Sequence, residues 1–141
     1  MVREIVKDKE ILKQPCEKVE KGEDVLYIIQ DLIDTAEIYK DKCIGLAANQ
    51  IGYNKRIVLI KNGASWVHFI NPVICENRKH GKCISEEGCL SLDGVRTVPR
   101  WNRVTLRYRD DKGDIKVLKD LRRPYSIVLQ HEVDHLNGIL I

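Results

Sequence analysis

The chain has 141 residues, 43% of them hydrophobic and 32% charged, with a net charge of +3 at neutral pH. That is the length of one domain, residues 1–141, and the composition excludes a disordered chain or a small scaffold that needs disulfides to fold. So slight a basic excess does not by itself point to nucleic acid, and no apolar run approaches the ~18 residues of a membrane span.

Met1 to Glu10 is mixed in charge and does not read as an export leader, so the expectation is a soluble, cytoplasmic domain with no membrane partner. The cysteines fit that compartment. Cys16, Cys43, Cys75, Cys83 and Cys89 form an odd set without C-x-x-C spacing, which favours reduced thiols acting as core residues, ligands or nucleophiles.

The first predicted element is a helix between Asp24 and Lys40. Its apolar stripe is Val25, Ile28, Ile29, Leu32, Ile33, Ala36 and Tyr39, with Glu23 and Asp24 near the positive end of the helix dipole. Cys43 to Gly52 then mixes small residues with the amides Asn49 and Gln50. It reads either as a tight helix-to-strand connection or as a place where a substrate backbone can lie alongside. Short strands are predicted at Arg56 to Lys61 and at Trp66 to Ile70, the second ending before Asn71-Pro72. Arg103 to Arg109 alternates, with Val104, Leu106 and Tyr108 on one face. A turn at Asp110 to Gly113 returns the chain into Ile115 to Lys119 as a hairpin. Pro124 suits the first turn of a closing helix that runs to Leu136 and ends at Asn137-Gly138. A helix, several strands and a second helix give an α+β class.

The closing helix carries the chemistry. His131, Glu132 and His135 form H-E-x-x-H, which stacks two imidazoles one turn apart on one face, while Leu129, Val133 and Leu136 face the core. Two such imidazoles can hold one divalent ion, and the carboxylate beside them can take a proton from water activated by that ion. Only six residues follow His135, and Ile141 stands where an extended protease motif would place a third histidine. A third ligand must therefore come from upstream. Cys89 is the best candidate, within Glu86-Glu87-Gly88-Cys89-Leu90-Ser91, where a glycine lets backbone approach a ligand closely; Cys83 and then Cys43 follow it. A thiolate with two neutral imidazoles leaves a fourth position open, which is a catalytic arrangement.

Three segments together resemble the peptide deformylase family, in the family's order and across essentially the whole chain. They are Ile44-Gly45-Leu46-Ala47-Ala48-Asn49-Gln50, Glu87-Gly88-Cys89-Leu90-Ser91 and His131-Glu132-Val133-Asp134-His135-Leu136-Asn137-Gly138. Phe69-Ile70-Asn71-Pro72 and Val98-Pro99-Arg100 match in character as well. The resemblance implies mostly antiparallel strands packed around a central C-terminal helix carrying the motif, with one N-terminal amphipathic helix. It implies removal of the N-formyl group from the initiator formyl-methionine of nascent polypeptides, with release of formate. It further implies one divalent metal per chain on Cys89, His131 and His135, usually Fe²⁺ in the cell and replaceable by Zn²⁺, Ni²⁺ or Co²⁺.

By the same resemblance, Glu132 is the general base and then acid, while Gln50 and the backbone N–H of Leu90 hold the oxyanion. Gly45 offers backbone bonds to the peptide, Ile44, Ile127, Val128 and His131 line the methionine pocket, and Arg96 contacts the peptide further along. Two departures stand out, since many members have Gly at Cys43 and Pro at Asn49. Many also continue into a C-terminal extension implicated in ribosome docking, whereas this sequence stops at Ile141.

Arg100, Arg103, Arg107, Arg109, Arg122 and Arg123 concentrate positive charge in the last third, readable as a solvated strand face or as transient contact with ribosomal RNA. Three rival readings are an amidase acting on another N-acyl group, a peptide-binding module without turnover, and a basic RNA-binding domain. The last lacks any aromatic-interleaved basic motif.

Overall fold

A computed structural model describes all residues, 1–141. Helix α1 is Lys9–Leu12 and α2 is Leu26–Ile38. The strands are β1 Gly45–Ala47, β2 Ile57–Asn62, β3 Ser65–Glu76, β4 Lys82–Glu87, β5 Arg96–Trp101, β6 Val104–Arg109 and β7 Ile115–Leu121. Helix α3, Tyr125–Leu136, closes the chain. All strand pairs are antiparallel, forming a five-stranded sheet in the order β1-β2-β3-β6-β7 and a separate two-stranded sheet of β4 and β5. No helix is long and apolar enough to cross a membrane.

The large sheet is covered on both faces, and β2 shows why. Ile57 and Leu59 join Leu46 of β1 against Ile28, Ile29, Leu32 and Ala36 of α2, while Val58 and Ile60 join Ala47 against Val128, Leu129 and Leu136 of α3. The two-residue period sends alternate side chains to opposite faces, so a strand with both faces covered needs an unbroken apolar run. Ile57 to Ile60 is such a run, and all four are buried.

Helix α3 is buried on nearly every side, where sequence patterning gave it a single core face. Its polar residues are satisfied by β5 and the segment after it. Gln130 Oε1 accepts from Trp101 N at 2.8 Å, Gln130 Nε2 donates to Trp101 O at 2.8 Å, and Ser126 Oγ donates to Asn102 O at 2.9 Å. The helix thus lies between the large sheet and the β4–β5 hairpin, with the H-E-x-x-H motif inside the molecule.

Strand β3 also departs from expectation, running through Asn71-Pro72 instead of stopping there. A register shift between Ile70 and Val73 takes up the proline, which has no N–H to give to a ladder. Asn71 sits at φ 51°, and its side chain pairs with Val19 in both directions, donating to the carbonyl and accepting from the N–H, each at 2.9 Å. The remaining expected elements differ only at their ends. The first helix begins at Leu26 and stops at Ile38, and the hairpin's return strand extends to Leu121.

Candidate active site

Strand β1 lies at the edge of the large sheet. Ile44 O accepts from Lys61 N, so this pair is hydrogen-bonded and the next, Gly45 with Ile60, is not. The alternation of an antiparallel ladder therefore turns the N–H and C=O of Gly45 toward the free edge. Cys43 Sγ donates to that carbonyl at 3.1 Å. Helix α3 crosses directly behind, so close that a Cβ on Gly45 would meet Glu132 Oε2 at 2.7 Å and Val128 Cγ1 at 2.8 Å. Only glycine leaves room for the carboxylate here.

A cavity of about 170 Å³ opens between this edge, α3 and the segment after β4. Of the residues singled out from sequence, Ile44, Gly45, Cys89, Leu90, Ile127, Val128, His131 and Glu132 line it, together with Cys43 and Glu87. His135 lies deeper, 1% exposed. Gln50 is also buried behind the wall. Its Oε1 accepts from Ala47 N at 2.9 Å, which commits Nε2 to donation, and Nε2 reaches Ser91 Oγ at 3.2 Å. Arg96 does not line the cavity. It stands at the start of β5 with its guanidinium turned to Asp93 O at 3.3 Å. Cys83 lies on β4 opposite Arg100, outside the ligand group.

The ligand atoms of Cys89, His131 and His135 all lie within 4.8 Å of one another. The two histidine Nε2 atoms face each other at 3.1 Å across rings inclined by 73°. Two nitrogens each about 2.0–2.1 Å from one tetrahedral ion would stand roughly 3.3 Å apart, so the spacing fits a shared divalent cation. The electrostatics agree. Burial, with His131 beside it, pushes His135 down to about 3, keeping its imidazole neutral with a free lone pair. Burial opposes charge on His131 too, but Cys89 and Glu87 outweigh it and raise His131 to about 10. Cys89 and Glu87 thus favour positive charge at His131, while His135 stays neutral. Glu132 is 3% exposed, burial lifts its carboxyl to about 7, and its Oε1 has no partner.

Behind the ligands lies a charge network that sequence reasoning missed. Glu87 Oε1 accepts from His131 Nδ1 at 2.7 Å. Arg100 grips the same carboxylate with Nε at 3.0 Å and a terminal nitrogen at 2.7 Å, and its other terminal nitrogen bonds Asp134. Burial works against the Glu87 charge, yet His131, Arg100 and Ser85 overcome it and hold the carboxyl down at about 2. Arg100, expected on a basic surface, is 5% exposed and belongs to this network. Charge patterning does not separate it from the other arginines, because its partner Asp134 on α3 becomes its neighbour only through the fold.

The sequence matches the family model described as Polypeptide deformylase over residues 2–141. It is 39% identical to a peptide deformylase of Clostridium beijerinckii over the full length of both chains. It is likewise 39% identical to one of Dictyoglomus turgidum, over 93% of this chain and 84% of that one. Among solved structures, it resembles the PDF of a Vibrio parahaemolyticus bacteriophage in complex with actinonin, with TM-score 0.87 and 32% identity over 98% and 99% of the two chains. A Met-Ala-Ser-bound class I type b peptide deformylase from Acinetobacter baumannii matches with TM-score 0.87 and 28% identity, over 99% of this chain and 97% of that one.

Proposed function

The chain belongs to the polypeptide deformylase family, metallo-hydrolases, and from that premise we propose that it removes the N-formyl group from formyl-methionyl nascent peptides and releases formate. The observation that carries this reading is the meeting of a Cys-His-His ligand set, a buried unpartnered carboxylate and a free strand edge at one small cavity.

Cys89, His131 and His135 would hold one divalent ion, Fe²⁺ in the cell, with Zn²⁺, Ni²⁺ or Co²⁺ accepted by the same borderline-soft donors. Such an ion lowers the pKa of water and polarises a carbonyl. Glu132 takes the proton from the attacking water and passes it to the departing amine, a role suited to a carboxyl raised toward neutrality by burial. Gln50 Nε2 and the Leu90 N–H stabilise the developing oxyanion, with Gln50 already oriented by the Ala47 N–H.

The peptide adds to the free edge of β1, where Gly45 presents its backbone groups, and its methionine side chain enters between Ile44, Ile127, Val128 and His131. Arg96 contacts the peptide further along only if its side chain swings away from Asp93. A formyl carbon bears only hydrogen, so a tight site excludes bulkier acyl groups. Formyl-Met and acetyl-Met peptides compared on one preparation test this. Strong preference for formyl supports it, and equal turnover contradicts it.

The reading takes residues 1–141 as one catalytic domain working in the cytoplasm beside the ribosome. Arg103, Arg122, Arg123 and His80 line a cleft with no hydrophobic residue, which suits transient contact with an RNA backbone. Co-sedimentation with ribosomes that falls steeply as salt rises supports that contact. Co-sedimentation indifferent to salt rules it out.

A further inference from the structure

The two histidines of the ligand set are not held alike. His131 Nδ1 meets the Glu87 carboxylate, but His135 Nδ1 is buried with no partner. With its Nε2 turned toward His131 Nε2, a neutral His135 that ligates through Nε2 carries its proton on Nδ1. A buried ring N–H without an acceptor is costly, and metal-ligating histidines almost always give that proton to an outer partner.

Besides Glu132 Oε1, which faces the cavity, one buried acceptor lacks a partner and belongs to a residue already bonded to His135. Asn49 Oδ1 is a buried acceptor with nothing to accept from. Asn49 lies in the 3-10 turn Ala48–Ile51 that follows β1, and it is 4% exposed. Its Nδ2 donates to the backbone carbonyl of His135 at 2.8 Å, across 86 residues of sequence. That carbonyl lies in the last turn of α3, where carbonyls have no partner within the helix, and it otherwise accepts only from Gly138 N at 3.1 Å.

We propose that Asn49 is the positioning residue of His135: Nδ2 fixes its backbone and Oδ1 takes its Nδ1 proton through one bridging water. Asn49 then does for His135 with a neutral amide what Glu87 does for His131 with a carboxylate. It also links the second ligand to the strand that would carry the peptide, because the 3-10 turn continues straight from β1. The inference rests on the reading that Cys89, His131 and His135 hold a divalent ion.

The test uses the full chain loaded with Zn²⁺ and compares wild type with Asn49→Leu, Asn49→Asp and a control, Arg56→Met. Arg56 donates to Leu136 O at 3.2 Å, the adjacent carbonyl of the same helix end, without touching a ligand residue. Asn49→Leu is expected to speed Zn²⁺ transfer to a chelator by about 10–100-fold. It should also abolish protection of the His135 ring N–H in proton NMR while sparing that of His131. Asn49→Asp, which keeps an acceptor, should retain the protected ring proton, and Arg56→Met should release Zn²⁺ as wild type does.

Equal release from Asn49→Leu and wild type would overturn the proposal, as would equally accelerated release from Arg56→Met. If Asn49→Leu does not fold, a freely exchanging His135 ring proton in the wild type would overturn it alone, and a protected one would support it. A wild-type chain that binds no Zn²⁺ would instead contradict the metal reading itself.

Discussion

Gly45 and Glu132 are packed so tightly that one added methyl group on the strand would sit 2.7 Å from the carboxylate oxygen on the helix. The strand edge and the Glu132 carboxylate therefore share one space, and neither can shift without the other. Gly45→Ala should displace Glu132 and destabilise the chain by about 1–3 kcal/mol, as overpacking does. Turnover should fall by at least tenfold, since small misplacements of a reacting group are costly. Denaturant unfolding and steady-state kinetics on the same sample check both.

Glu132→Gln keeps the shape of the side chain and removes its ability to accept a proton. Metal content should be unchanged, and hydrolysis should fall by about 10²–10⁴-fold. Metal analysis beside kinetics separates the two. Full activity in this variant would remove Glu132 from the mechanism.

The ligand choice among cysteines has a direct readout. Cys89→Ala should lose tight metal binding, whereas Cys83→Ala should keep it, because Cys83 lies outside the ligand group. Cys43→Ala should keep metal as well. Its thiol, driven up to about 12 chiefly by burial, stays protonated and donates to Gly45 O.

Sequence alone made the class of fold and the stacked pair His131 and His135 readable from local patterns, while Cys89 was the best of several cysteines and the fold sets it beside them. H-E-x-x-H stacks two imidazoles by helical period alone, and Ile57 to Ile60 reads as strand because its residues are β-branched or aliphatic. The β4–β5 hairpin was not readable. Its alternation runs against polarity, with Ile84 exposed and Glu87 and Arg100 buried, and it carries Pro99 and stands apart from the main sheet. Without that hairpin, α3 reads as a one-faced helix and Arg100 as a surface charge. The Glu87–Arg100–Asp134 network joins three separated segments, so no spacing rule could have announced it.

That network carries a pH dependence. The Glu87 carboxyl lies near 2 in the folded chain against 4.5 for a free side chain, so folding favours its ionised form. The contribution is fully present above about pH 4.5 and is lost as pH falls through the folded value, at most about 3 kcal/mol. Glu87→Gln should be less stable at neutral pH and approach the wild type as the solution is acidified toward pH 2. It should also weaken metal retention by about 10–100-fold through His131. Unfolding curves between pH 7 and pH 2, with metal removed, isolate the first effect. Parallel curves at all pH values would refute it.

The most direct test of the central claim is formate release from formyl-Met-Ala-Ser, using protein purified without oxygen and loaded with Fe²⁺ or Ni²⁺. The account predicts rapid turnover that disappears with Glu132→Gln while the metal stays bound. A chain that holds one metal ion on Cys89, His131 and His135 yet releases no formate would contradict it.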